Sequence, residues 1–334
     1  MTDTITMAHG AGGKQTSGLI RNIFQKHLGN EFFTSDDAAV LPEVHGKLAM
    51  TTDGFIVSPQ FFPGGNIGKL SICGTVNDLS CMGARPLYMT CGFVIEEGFR
   101  ISDLDKIAAS MRKTADEVGV RLVAGDTKVA GKGQGGGVFI TTTGVGEILE
   151  GVRTSGALAQ AGDAIIVTGD IGRHGTAILL SRDDYGIEAN VTSDCAPLWN
   201  AVSAALTAAR DIHVIRDATR GGVGTVLYEI ASESGVGISL DSEQIPVDPA
   251  VRGVCGMLGL EPLYLACEGR LVIICPQKET SKLLDALHSQ TYTEGAKVIG
   301  YITNDLPGKV VMTTEIGART LLPEPGNELL PRIC

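Results

Sequence analysis

The sequence predicts a two-lobed α/β (α+β) protein. Three observations carry this. The chain has 334 residues, more than one core serves at roughly 150 residues per domain. Apolar spacing alternates between strand and helix periods along most of its length. The pattern breaks at both ends, into a Gly-rich start and a Pro-rich finish.

In order along the chain, residues 1–46 read as an extension. A Gly-rich turn, His9-Gly10-Ala11-Gly12-Gly13, precedes a helix over 14–27, and its three glycines predict a mobile segment. The first lobe, 47–150, reads strand (48–52), helix (about 66–82), strand (87–95), helix (102–118), strand (121–124) and strand (137–147). In the 102–118 helix Ser102 is the expected N-cap. Leu104, Ile107, Ala108, Met111, Ala115 and Val118 recur at helical spacing, and Gly119 is the stop. The second lobe, 151–321, gathers at the turn Gly162-Asp163. It continues with a strand (164–168), helices (174–182 and 197–209), a strand (213–216) and a helix after Gly221-Gly222. A strand (237–240), a helix (250–258), a strand (271–275), a helix (278–289) and strands at 297–302 and 309–313 complete it. From Leu322 three prolines and one glycine predict a flexible tail, 322–334, ending in Cys334.

Apolar residues make up 43% and charged residues 19%, enough for a large core and against global disorder. The net charge is −11 and Lys and Arg form no cluster, which argues against a nucleic-acid partner. The start lacks the basic and apolar regions of a secretion signal, and no apolar run approaches 18 residues, so a cytoplasmic protein without membrane spans is expected. Eight cysteines contain no C-x-x-C pair, so neither a zinc site nor a disulfide framework is indicated. Seven sit in apolar surroundings and read as core. Cys334, the last residue, does not.

Acidic residues recur at element ends: Asp36-Asp37, Asp53, Asp78 and Asp126. Mg²⁺ carrying a nucleotide needs hard oxygen ligands from converging carboxylates, and these positions supply them; singly, each is equally ordinary turn or cap chemistry. No Walker A pattern and no G-x-G-x-x-G after a strand occurs, so a nucleotide would be held differently from a P-loop or Rossmann protein. Gly12 and Gly13 can offer backbone N–H groups to phosphate, or mark a plain flexible start. Arg216-Asp217-Ala218-Thr219-Arg220-Gly221-Gly222 joins a strand to a helix and combines an acid, a hydroxyl, a cation and a helix N-terminus; capping is the alternative role for Asp217 and Thr219. Lys128 and Glu268 are not distinguished from surface residues by sequence. The 12 residues after Leu322 reach at most ~40 Å, so Cys334 is either a mobile nucleophilic arm or simply the end of a disordered tail.

Several segments together resemble the HypE family of hydrogenase-maturation proteins. They are Phe61 to Leu70 (FFPGGNIGKL), Cys73 to Leu79 (CGTVNDL) with Gly83-Ala84-Arg85-Pro86, Gly125 to Val129 (GDTKV), Arg216 to Gly222 and the terminal Pro331-Arg332-Ile333-Cys334. The resemblance runs from about His9 to the last residue. Gly-Asp-Thr and Arg-Gly-Gly are shared with the wider superfamily similar to aminoimidazole ribonucleotide synthetase, selenide water dikinase and thiamine-monophosphate kinase, whereas the Pro-Arg-Ile-Cys end is specific. The resemblance implies an N-terminal mixed α/β domain forming a dimeric β-barrel in a homodimer, a C-terminal α+β domain, and ATP with Mg²⁺ near the cleft. It implies that a carbamoyltransferase, HypF, loads Cys334 with a carbamoyl group. ATP-dependent dehydration would then give a thiocyanate, whose cyanide passes to iron on a HypC–HypD scaffold for nickel–iron hydrogenase. By resemblance, Asp37, Asp53, Asp78 and Asp126 match the Mg²⁺–ATP carboxylates, with Asp36 an open alternative to Asp37. Asp217, Thr219 and Arg220 match a second phosphate-contacting segment, and Lys128 and Glu268 handle protons. For Lys128 to accept one it must be neutral, which requires burial or a nearby positive charge. Two further readings stand beside this one: a small-molecule ATP phosphotransferase acting on selenide or a thiamine phosphate, and a non-catalytic carbamoyl carrier.

Overall fold

The computed structural model describes residues 3–33, 36, 38–182 and 185–326; Asp37 and Cys334 lie outside them. Two sheets organise the two lobes. The first runs in the order Leu48–Phe55, Val138–Ile148, Ala84–Glu96 and Arg121–Ala130. Its first two pairings are antiparallel, and the 84–96 and 121–130 strands are parallel, joined by the helix Ile101–Val118. Parallel neighbours need such a crossover. Burial alternates along the 84–96 strand, with Met89, Cys91, Phe93 and Ile95 inward, so one face of this sheet is packed and the other is open.

Covering the packed face is the helix Ile67–Cys81, where 13 of 15 residues are buried. Asn66 starts it by accepting the amides of Gly68 and Lys69. Small residues let the helix enter. A Cβ at Gly68 would stand 2.4 Å from the Ile107 carbonyl oxygen of the 101–118 helix. The opposite side of the 67–81 helix contacts the second lobe at Trp199–Ala208 and Val214–Asp217.

The second sheet runs Arg319–Leu321, Val310–Thr313, Gly237–Asp241, Lys297–Thr303, Asp163–Val167, Leu271–Pro276 and Val214–Asp217. Only the 310–313 and 237–241 pair is parallel. The 163–167 strand is buried at every residue, as the apolar run Ala164–Val167 in a sheet covered on both faces requires. Seven cysteines are buried and free, as their surroundings predict. Among the described residues no helix is long and apolar enough to cross a membrane.

Several local expectations change. The start of the chain is fastened rather than mobile: Ile5 is fully buried and exchanges backbone hydrogen bonds with Gly98 and Phe99. Gly10 lies against Val129. The predicted 14–27 helix is one helical run, α over Lys14–Leu19, π over Ile20–Gln25 and α again to Leu28. Ser102 is not the N-cap. The Asp103 and Leu104 amides bond the Arg100 carbonyl, so the helix begins at Ile101. Gly119 does end it, at φ 74°. The tail begins later than Leu322, which is 2% exposed and follows the short strand 319–321.

Replacing Gly68 tests the helix contact. Gly68→Val should lower unfolding free energy by about 1–3 kcal/mol, the usual cost of overpacking, in urea melts of the whole chain. An unchanged midpoint would show that the helices separate freely.

Candidate active site

The site is built where the 67–81 helix, the first sheet and the second lobe converge. Asp53, near the end of the 48–55 strand, points at the helix: a Cβ on Gly74 would lie 3.3 Å from its Oδ2. Asp78, one turn further on, accepts a 2.7 Å hydrogen bond from the Thr51 hydroxyl. Asp217 ends the 214–217 strand, and Glu268 lies on the segment leading into the 271–276 strand.

These four acids feel one another. Burial raises the Asp53 carboxyl above its ordinary value, and neighbouring Asp78 adds to the effect. Burial also raises Asp78, against the pull of Thr51, Arg216 and Arg220. Asp217 is pushed up to about 6 by burial, then by Asp78 and Asp53. Glu268 rises well above the usual carboxylate range, through burial first and then Cys195, Asp217, Asp194 and Asp53. Perturbed acids gathered in a recess mark a functional site on physical grounds. The nearby cations are a partial answer. Arg220 approaches Asp53 at 3.7 Å but is 82% exposed, and Arg216 is engaged by Glu229 at 2.5 Å.

The Arg216–Gly222 turn has a steric reason for its glycines. Gly221 and Gly222 both take positive φ, 72° and 64°, before the helix Gly222–Ser234. A side chain on Gly222 would collide with the carbonyl oxygens of Leu263 and Leu265, at 2.5 and 2.6 Å. The helix N-terminus, with Thr219 and Arg220, therefore sits directly on the segment that carries Glu268.

Two predicted residues are elsewhere. Asp126 and Lys128 lie on the edge strand and form an ion pair at 2.6 Å, each 68% exposed. Asp53 is in register with Thr142, Cys91 and Gly125, whereas Asp126 is in register with Gly92, Thr141 and Gly54. Paired residues share a face and neighbours along a strand alternate, so Asp126 and Lys128 project from the open face, about 14 Å across the sheet from Asp53. Lys128 is thus exposed, and its partner is an acid. Consistent with this separation, no group of three or more His, Cys, Asp or Glu among the described residues is arranged around one metal position. Asp126 instead lines a cleft of about 500 Å³ with Asp36, Thr16, Ser17, Phe24 and Phe93, a size that suits a small ligand. Gly12 and Gly13 precede Thr16 in open space, and the Gly12 amide bonds the Thr16 hydroxyl at 3.0 Å.

Sequence reasoning missed the residues that weld the lobes. Asn77, buried in the 67–81 helix, donates to the carbonyl of Ala196 at 3.1 Å and accepts the Leu198 amide at 2.8 Å. Arg270 holds the Glu268 segment by bonding the carbonyls of Gly269 and Tyr292 and the Asp170 carboxylate. Asp194 accepts the Glu268 amide at 3.2 Å through Oδ1, while its Oδ2 is buried without a hydrogen-bond partner, 3.9 Å from Arg270. An Asn in the middle of a helix rich in Ile, Leu, Val and Cys was the available signal, because a buried amide must be satisfied.

Comparison with known proteins agrees with this architecture. Residues 35–148 match the AIR synthase related protein, N-terminal domain, and residues 160–312 match its C-terminal domain. The carbamoyl dehydratase HypE of Azotobacter vinelandii is 44% identical over 99% of this chain and 97% of its own length. A crystal structure of hydrogenase maturation protein HypE in complex with ATP superposes with a TM-score of 0.95 at 43% identity, covering 99% of this chain and all of that one. HypE in a HypE–HypF complex aligns with a TM-score of 0.81 at 42% identity, over 92% of this chain and 99% of that one. With its two AIR synthase-like domains and near-complete alignment to such relatives, the chain belongs to the HypE carbamoyl dehydratase family.

Proposed function

We propose that this protein is an ATP-dependent carbamoyl dehydratase that carries its substrate as a thiocarbamate on Cys334. The product is a thiocyanate, which supplies cyanide ligands to the iron of nickel–iron hydrogenase. One observation carries this reading: Asp53, Asp78, Asp217 and Glu268 gather beside a helix N-terminus, in a chain 44% identical to a carbamoyl dehydratase. A passive carrier has no use for crowded buried acids. A phosphotransferase acting on selenide or thiamine phosphate is disfavoured by near-complete alignment to dehydratases.

An amide oxygen leaves poorly, and the nitrogen must lose two protons for a nitrile to form. ATP, when bound, supplies the phosphoryl group that makes that oxygen a leaving group. Overall, thiocarbamate and ATP give thiocyanate, ADP and phosphate. Thr219, Arg220 and the amides opening the 222–234 helix are suited to phosphate oxygens. Glu268 handles a proton of the carbamoyl nitrogen. Burial, then the surrounding acids, raises its carboxyl well above the usual range and favours the protonated form; added positive charge beside it would favour the base form.

Mg²⁺ fits this chain on electrostatic grounds. The acids are crowded and short of compensating charge, and Mg²⁺ takes only one or two carboxylates along with waters and phosphate oxygens. Asp53 and Asp78 would provide them. Asp126, which lines a separate cleft with Asp36, and Asp37 are nucleotide candidates on family resemblance alone. The open sheet face exposes Met50 at 72%, Leu48 at 56% and Val94 at 40%. Covering it with a second copy in a β-barrel supports a homodimer, with Lys128 and Asp126 at the subunit boundary. HypF is the proposed donor of the carbamoyl group, the HypC–HypD complex the acceptor of cyanide, and the cytoplasm the site of the reaction.

Mass spectrometry tests the reaction: carbamoyl-loaded protein given Mg²⁺–ATP should lose the mass of one water, about 18 Da, from its C-terminal peptide. Cys334→Ala should show no loss, and equal dehydration in both would remove the arm from the chemistry. Glu268→Gln should slow dehydration at least ~100-fold while leaving ATP binding within twofold in calorimetry; near-wild-type turnover would take the proton role from Glu268.

The crowding has its own test. The folded-state carboxyl of Asp217 lies near 6 against an ordinary 3.8, so between those values the folded protein binds more protons than the unfolded one. Stability therefore falls as pH rises through that window, by up to about 3 kcal/mol. Asp217→Asn should raise the melting temperature at pH 7, with the gain fading towards pH 4. A gain independent of pH would contradict electrostatic crowding.

A further inference from the structure

Two residues in contact with each other break the rules of their own surroundings. Tyr292, in the loop after the helix Thr280–His288, takes φ 78°. Among the described residues that carry a Cβ, only Tyr292 and Leu306 have positive φ, and a bulky side chain is costly in that region. Such outliers persist where their surroundings hold them, commonly at functional positions. Glu117 lies in the last turn of the 101–118 helix, where the helix dipole disfavours an acid. The Tyr292 hydroxyl donates to Glu117 Oε1 at 2.9 Å. Burial, and then Glu117, pushes this phenol up to about 12, so it remains a donor at neutral pH. The Glu117 carbonyl also accepts Asn200 Nδ2 at 3.3 Å, so the end of this first-lobe helix is tied twice to the second lobe.

Through its backbone Tyr292 reaches the Glu268 segment by way of one nitrogen. Arg270 Nη1 donates to the Tyr292 carbonyl at 3.1 Å and to the Gly269 carbonyl at 2.9 Å. The rest of the guanidinium is engaged by Asp170, Nε with its carbonyl at 2.9 Å and Nη2 with its Oδ1 at 2.7 Å. Arg270 also lies flat against Gly169, where a Cβ would stand 2.7 Å from Nε. The Glu268 carbonyl accepts Asn77 Nδ2 of the 67–81 helix at 3.4 Å and the Ala196 amide at 3.3 Å. The backbone at Glu268 is therefore held to both first-lobe helices, to one by Asn77 and to the other through Arg270, Tyr292 and Glu117.

We propose that Tyr292 and Glu117 form a brace that fixes the place of Glu268, which makes them positioning residues for the dehydration. This rests on the function proposed above. A carboxyl group that moves a proton has to stand within hydrogen-bond reach of it, and a misplacement of about 1 Å costs up to ~100-fold in rate. The brace accounts for both local conflicts, since each residue suits the contact between them and not the backbone that carries it.

The test uses the full chain with Tyr292→Phe, with Glu117→Ala, with the two together, and with Glu117→Gln, which keeps an acceptor for the phenol. The single-turnover rate of the 18 Da loss should fall about tenfold in each of the first two, with ATP affinity within twofold of wild type in calorimetry. The double variant should be no slower than either single one, because both remove the same contact. Glu117→Gln should stay within twofold of the wild-type rate. Unchanged rates, losses that multiply to about a hundredfold, an equal loss of ATP affinity, or Glu117→Gln as slow as Glu117→Ala would overturn the brace. If wild-type protein shows no 18 Da loss at all, the proposed reaction fails, and amide hydrogen exchange still judges the brace. Over residues 267–270 exchange should rise about tenfold in Tyr292→Phe, and an unchanged rate of exchange there would show that Tyr292 holds nothing.

Discussion

The 67–81 helix leaves only Lys69 and Asp78 partly open to water, and that constraint governs how the lobes meet. A helix buried all round must be covered by other elements, and here the first sheet, the 101–118 helix and the second lobe all do so. Every polar atom it carries inward then needs a partner. Asn77 finds them on the second lobe at Ala196 and Leu198, and Thr75 finds Thr142 of the sheet at 2.5 Å. The junction is thus specified by hydrogen bonds that only one arrangement of the lobes can satisfy.

Asp78 is the exception on that helix, because burial raises its carboxyl against the pull of Thr51, Arg216 and Arg220. Asp53 comes from the sheet, Asp217 from the second lobe and Glu268 from the segment clamped by Arg270. Each is raised chiefly by burial. Holding such groups together costs folding free energy, which the surrounding apolar core offsets; local conflict at a functional site against consistency elsewhere is the expected pattern. Arg270 steadies the clamp by engaging Asp170, and Asp194 Oδ2, buried without a hydrogen-bond partner, lies 3.9 Å from the same guanidinium.

Most elements of both lobes were legible because their apolar residues recur at the period of the element they form. The 101–118 helix and its Gly119 stop are plain in the sequence. The 121–130 strand is longer than its apolar run because Gly125 and Asp126 continue it along an exposed edge, where no burial pattern is imposed. The acids at the site were legible as residue types, but their grouping was not. Asp126 shares spacing and chemistry with Asp53, yet a pleat of the sheet sends it to the other face, a parity that depends on pairing register. Arg270 and Asp194 were invisible because their partners are remote in sequence. The fastening of residues 3–13 was hidden by glycines that read as freedom.

The burial of the seven described cysteines has a chemical consequence. A cyanylated sulfur is electrophilic, and a neighbouring thiolate would displace its cyanide to form a disulfide. Attack needs the ionised thiol, and burial pushes Cys91 up to about 12, Cys255 and Cys275 up to about 11, and Cys81 and Cys267 well above the ordinary range, while Cys195 is raised as far by its contact with Cys73 and then by burial. Cys73 is sealed at 0% exposure. Within one folded molecule the interior therefore acts as a protecting group for its own internal thiols, and a reactive product can await its acceptor without being quenched by the protein that made it.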